Sequence, residues 1–137
     1  MTSPRPLGKK QVVELIARGE SLGAYDMRGL DLAGVCFDGT DLREAKLGDC
    51  NLSRCTFRGA DMRFASLWHA DCKDAVFDEA ILEEADLDYS NLDGCSFQGA
   101  RIKKAIFPLA KLPLEAIQDS VRTGRKVKME RTQLNDD

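Results

Sequence analysis

The chain has 137 residues, a length that fits one domain. It is 43% hydrophobic and 31% charged, which excludes an intrinsically disordered chain, and no stretch approaches the roughly 18 apolar residues of a membrane span. Its 20 Lys and Arg nearly balance 23 Asp and Glu, where a nucleic-acid binder would be basic, and a single His leaves little room for His-based catalytic or metal chemistry.

Met1 to Lys10 lacks the apolar core of a signal peptide, so export is not expected and a cytoplasmic setting is. A short cap helix is expected over 8–19. Val12, Leu15 and Ile16 share one side, and Gly19 supplies the stop.

From Leu22 to Leu112 the chain repeats every five residues. The 19 central positions are large and apolar except for Cys72. Two residues before each centre the side chain is small: from Thr40 to Ala110 these 15 positions hold ten Ala, three Cys, one Thr and one Ser. The residue just before the centre is often Asp or Asn, as in Asp31, Asp41, Asn51, Asp61, Asp71, Asp86 and Asn91. Gly recurs two residues after it, as in Gly29, Gly34, Gly39, Gly59, Gly94 and Gly99. Five residues advance a helix by about 500°, so the apolar residues would spiral around it and form no face. A coil that turns a corner every five residues and wraps its own core keeps both apolar positions inside; such a chain is a solenoid. Phe37, Phe57, Phe77 and Phe97 recur every 20 residues. Four pentapeptides therefore close one coil, with one side carrying a stack of Phe. At roughly 4.8 Å per coil, four and a half coils make a column about 22 Å long.

Both open ends need caps. A second cap helix is expected over 113–124, with Pro113 in its first turn, Leu114, Ile117 and Val121 on one face, and Gly124 as its end. Residues 125–137 are polar and are expected to form a flexible tail. The whole chain thus reads as one domain, 1–137.

The five cysteines have no CxxC spacing, and their number is odd. The repeat accounts for them instead as small interior residues, with Cys36 the outward exception. No cofactor or metal site is expected.

Triplets such as Ala60-Asp61-Met62, Ala85-Asp86-Leu87 and Ser90-Asn91-Leu92 make the chain similar to the pentapeptide-repeat family, whose motif is A(D/N)LXX. The match covers about two thirds of the chain. The resemblance implies an all-β fold, a right-handed quadrilateral β-helix of about 4–5 coils. The four sides follow independently from the period of 20, and the hand comes from the resemblance alone. Some members of that family, which protect DNA gyrase from quinolones or peptide toxins, look like acidic, DNA-sized, dimeric rods.

Residues flanking each centre should face solvent, and a period of 20 stacks them into columns. Glu83 falls beside Lys103 and Glu84 beside Lys104, which suggests a solvated ladder of ion pairs. Residues 25–100 carry a net charge of −9 between ends of +2 and +4. The third coil is the most acidic, with Asp78, Glu79, Glu83, Glu84, Asp86 and Asp88 as a candidate acidic surface. Phe64, Trp68, His69, Tyr89 and Leu109 occupy outward positions and form a candidate partner surface, to be covered by the C-terminal helix or a second subunit or left free for a protein partner. A convex, filled tower offers no cleft and no phosphate loop, so no catalysis is expected. The expected function is a non-catalytic interaction or scaffold module for a protein partner, with no direct nucleic-acid or membrane binding. The alternative is a DNA mimic that binds and protects gyrase, its length doubled by a homodimer through the C-terminal end.

Overall fold

The computed structural model describes residues 7–130. Among them the only helices are α1, Lys9–Ala17, and α2, Leu114–Thr123. Between these the backbone forms isolated parallel bridges, each joining a residue to the one 20 further on, from Asp26 with Lys46 to Asp86 with Ile106. No continuous strand longer than one bridge occurs among the described residues, because the chain turns again after every bridge.

Each pentapeptide ends its side in the same turn. The N–H of Ala45 donates to the carbonyl of Leu42 (3.0 Å), and that of Ala65 to Met62 (3.1 Å). The residue two after each centre has a φ of 58° to 80° at every corner from Gly29 to Lys104. A positive φ at the third turn residue alone is the type II geometry. Gly meets it freely; Phe64, His69 and Tyr89 hold the same conformation at a cost of about 1–2 kcal/mol each.

The first side carries the centres Leu22, Leu42, Met62, Leu82 and Ile102. The second carries Met27, Leu47, Leu67, Leu87 and Phe107. The third carries Leu32, Leu52, Cys72, Leu92 and Leu112, and the fourth Phe37, Phe57, Phe77 and Phe97. The four Phe rings lie parallel, 4.9–5.1 Å apart, which is the rise of one coil, and Phe107 meets Phe97 edge-on at 5.9 Å.

The recurring Asp or Asn before the centre has a physical cause. In the pentapeptides from Cys50 to Glu84 the N–H groups of the centre and of the residue two after it pair with the coil above, that of the residue before the centre with the coil below, and that of the small residue with its own turn. The N–H just after the centre is left over, and the preceding carboxylate or amide takes it: Asp31 from Ala33, Asn51 from Ser53, Asp86 from Asp88. On the fourth side, where that position holds Cys, Thr, Val or Ser, an Asp one coil below substitutes, Asp38 for the Arg58 N–H and Asp78 for the Gln98 N–H.

At the lower end α1 lays Val12 and Leu15 on the core, and Lys9 Nζ donates to the Ala33 carbonyl (2.6 Å). At the upper end α2 covers the fourth side: Ile117 and Ser120 are buried, and Ser120 Oγ accepts the Phe97 N–H (2.9 Å). The flexible tail expected from residue 125 is corrected for 125–130. The N–H of Gly94 donates to the Val127 carbonyl (2.8 Å), Val127 N–H donates to Cys95 (2.9 Å), and the Val127 side chain is buried. Pairing with an otherwise open coil edge is what orders this polar run. Residues 131–137 of that tail lie outside the described residues. No helix among the described residues is long and apolar enough to cross a membrane.

Candidate protein-interaction surface

The corner after the second side projects one column of side chains outward, Asp49, His69, Tyr89 and Leu109, beside a second column that contains Trp68, Asp88 and Pro108. Trp68 is 44% exposed, Tyr89 66% and Leu109 54%. The Trp68 ring meets Tyr89 edge-on at 5.7 Å and His69 in a tilted contact at 5.4 Å, and His69 Nδ1 lies 2.7 Å from Asp49 Oδ1. This edge-on packing keeps the aromatic group as one pre-ordered surface. Ile106, half exposed on the same side, extends it upward. Phe64 is also exposed, but it sits one corner away beside Ala24, Glu44 and Arg63 and makes none of these aromatic contacts.

The C-terminal helix does not cover this surface, because its buried residues are spent on the Phe column of the fourth side. Beside Tyr89 and Leu109 a groove of about 800 Å³ opens, with Phe107, Pro108 and Met129 as further apolar lining and Lys73, Lys111 and Asp93 at its polar edge. Met129 was not visible as a site residue in the sequence, since it reaches the groove only through the pairing of residues 125–130 with the last coil. Its backbone N–H donates to Asp93 Oδ1 (3.0 Å).

The acidic residues of the third coil separate into two groups. Asp78 accepts from the Gln98 N–H and Ser96 Oγ, Asp86 from the Asp88 N–H, and Asp88 from the Tyr89 N–H, so these three serve the backbone. Glu79, Glu83 and Glu84 make no ion pair among the described residues. The expected pairs of Glu83 with Lys103 and Glu84 with Lys104 do not form. On the first side the ion pairs close within a pentapeptide instead, Asp41 with Arg43 (2.9 Å) and Asp61 with Arg63 (2.6 Å), with Arg43 reaching Asp61 at 3.9 Å. The guanidinium two residues on forks onto the carboxylate that already faces the turn, which a Lys one coil away cannot match. These Arg neighbours hold the Asp41 and Asp61 carboxyls below the usual carboxylate range, as Arg28 does for Asp26.

Of the cysteines, Cys36 is exposed and Cys50, Cys55, Cys72 and Cys95 are buried. Burial pushes the Cys55 thiol up to about 11 and raises those of Cys50, Cys72 and Cys95. Such thiols are poor nucleophiles and poor metal ligands.

Comparison with known families decides the class. The family model for pentapeptide repeats matches eight copies, over residues 36–71 and 70–107, more than half of the chain. The chain belongs to the pentapeptide-repeat family. Among solved structures it is similar to a pentapeptide repeat protein of the Arabidopsis thaliana thylakoid lumen, with 31% identity, a TM-score of 0.60, and 62% of this chain and 61% of that one covered. HetL, from the cyanobacterium Nostoc sp. strain PCC 7120 and involved in heterocyst differentiation regulation, gives 27% identity and a TM-score of 0.60 over 64% of this chain and 43% of HetL. A further Nostoc pentapeptide repeat protein gives 28% identity and a TM-score of 0.59 over 78% and 94%. The chain thus spans less than two thirds of the length of the first two. No match was found among curated proteins. These pentapeptide-repeat neighbours imply a right-handed β-helix.

Proposed function

We propose that this pentapeptide-repeat protein is a non-catalytic interaction module of the cytoplasm, which presents the Trp68–Tyr89–Leu109 surface to a protein partner. One observation carries the reading: a pre-packed aromatic column stays exposed on a tower whose other corners are Gly or polar, apart from Ala24, Phe64 and Leu114, next to a groove with apolar walls. Trp and Tyr in such a setting supply binding energy at low entropic cost. The involvement of a neighbour of this fold, HetL, in regulation supports recognition over catalysis. The test is affinity capture from the native cell with the parent chain and with a Trp68→Ser/Tyr89→Ser variant whose melting curve is unchanged. Proteins held by the parent and lost by the variant support the proposal; identical captured sets contradict it.

The second reading, a gyrase-binding DNA mimic, rests on the unpaired Glu79, Glu83 and Glu84. These acids form a belt around one coil and do not run in stripes along the axis, which favours it less. A dimer through the C-terminal end would lengthen the rod, but it sets Arg101, Lys103 and Lys104 against their own copies. Reversing Glu79, Glu83 and Glu84 to Lys leaves the backbone-serving Asp residues in place. If the reading holds, this variant abolishes a gyrase affinity that falls steeply with salt.

A further inference from the structure

Of all the repeat centres from Leu22 to Leu112, only Ile102 is not buried. It lies on the first side of the last coil, and the backbone around it is open as well. One coil lower, the Leu82 N–H donates to the Arg101 carbonyl (2.8 Å), the Glu84 N–H to Lys103 (3.0 Å), and the Arg101 N–H to Ala80 (2.9 Å). The equivalent upward groups of the last coil are the N–H groups of Ile102 and Lys104 and the carbonyl of Ala100. These find no partner among the described residues. The other sides of the last coil differ: the Glu130 N–H donates to Lys111 (2.9 Å) on the third and the Gly99 N–H to Val121 (2.9 Å) on the fourth, while on the second the Phe107 N–H also finds no partner among the described residues.

The opening therefore has the pattern of a β-edge that accepts one more rung. At the edge itself the charges are all positive, with Glu83 and Glu84 one coil below. Arg101, Lys103 and Lys104 surround it, and none of the three is in an ion pair among the described residues. We propose that the edge Arg101–Ala105 receives an extended acidic segment of a partner protein. The segment pairs with Ile102, Lys104 and Ala100 in the register used one coil below. An apolar side chain on its inner face seals Ile102 and Ala105, and acidic side chains on its outer face meet the three cations. A second copy joined edge to edge brings cation onto cation, so charge complementarity selects an acidic segment. This edge is distinct from the aromatic column, so either surface can fail without the other.

The test uses the full-length, isotope-labelled chain and, as probe, an end-capped octapeptide alternating aspartate and valine. Amide hydrogen exchange and chemical shifts are followed by NMR. Expected is free exchange of the Ile102 and Lys104 amides in the unbound protein, slowed at least about tenfold at saturation. A Lys103→Glu/Lys104→Glu variant should weaken Kd at least about tenfold, and a lysine–valine peptide should not bind. Three results overturn the proposal. The first is protection of both amides in the free chain at low concentration, which gives the edge to the chain itself. The second is protection that grows with protein concentration, which gives it to a second copy. The third is peptide binding that leaves both amides exchanging freely.

Discussion

Asp86→Ala and Asp86→Asn each remove one negative charge from the most acidic coil, and they differ in whether an acceptor remains for the Asp88 N–H. That bond is 2.9 Å long and part-buried. A neutral hydrogen bond of this kind contributes about 1 kcal/mol net, and a donor left without an acceptor costs about 1–3 kcal/mol according to its burial. Capping residues at helix starts, which do the same work, lose about 0.5–2 kcal/mol on replacement by Ala. Asp86→Ala should therefore be less stable than Asp86→Asn by about 1 kcal/mol, or roughly 3–5 °C in melting temperature for a chain of this size. Urea unfolding followed by far-UV circular dichroism and by Trp68 fluorescence measures the difference. The converse change is Lys46→Asn, which supplies an acceptor for the Gly48 N–H that none of the described residues now provides; it should stabilise. Equal stability of the two Asp86 variants would refute the account of why Asp and Asn recur in the repeat.

A thiol reagent should label Cys36 alone in the native protein and all five cysteines after unfolding, because burial both hides the other four and raises their pKa. The Asp41 carboxyl is held below its unfolded value of about 3.9 by Arg43, so its contribution is complete above about pH 4 and is lost as the pH falls through the depressed folded value. The melting temperature should drop between pH 5 and pH 2, and by less in Arg43→Gln. Gly59 has a φ of 66° and nothing near its would-be Cβ, so Gly59→Val tests the corner conformation alone; denaturant unfolding should show a loss of about 1–2 kcal/mol. Phe57→Ala opens a hole in the middle of the ring stack and should cost about 3–5 kcal/mol by the same measurement.

The coil was readable in the sequence because a period of five with two inward positions admits few solutions, and because a Phe every 20 residues places each ring over the last. The Phe column follows from that spacing alone. The service of Asp31 or Asp86 to a left-over N–H was not readable, since it emerges only when every backbone donor in the coil is paired off. Ion pairing departs from the columns for a related reason: the period of 20 places Glu83 by Lys103, whereas turn geometry favours partners two residues apart, as in Asp41 and Arg43. Val127 and Met129 looked like stray apolar residues in a polar tail because their partners, Cys95 and Asp93, lie more than 30 residues away in the chain. For the aromatic surface, the outward positions of Trp68, Tyr89 and Leu109 were legible, and the groove beside them was not.

The central claim, that the exposed aromatic column is a recognition surface, is tested most directly by quantitative capture with Trp68→Ser/Tyr89→Ser against the parent chain. The account predicts loss of a defined set of bound proteins with the fold retained, since Tyr89 is 66% and Trp68 44% exposed and neither belongs to the buried core. A variant that unfolds at lower temperature yet captures the same proteins as the parent would assign these aromatics to the tower's own stability and contradict the claim.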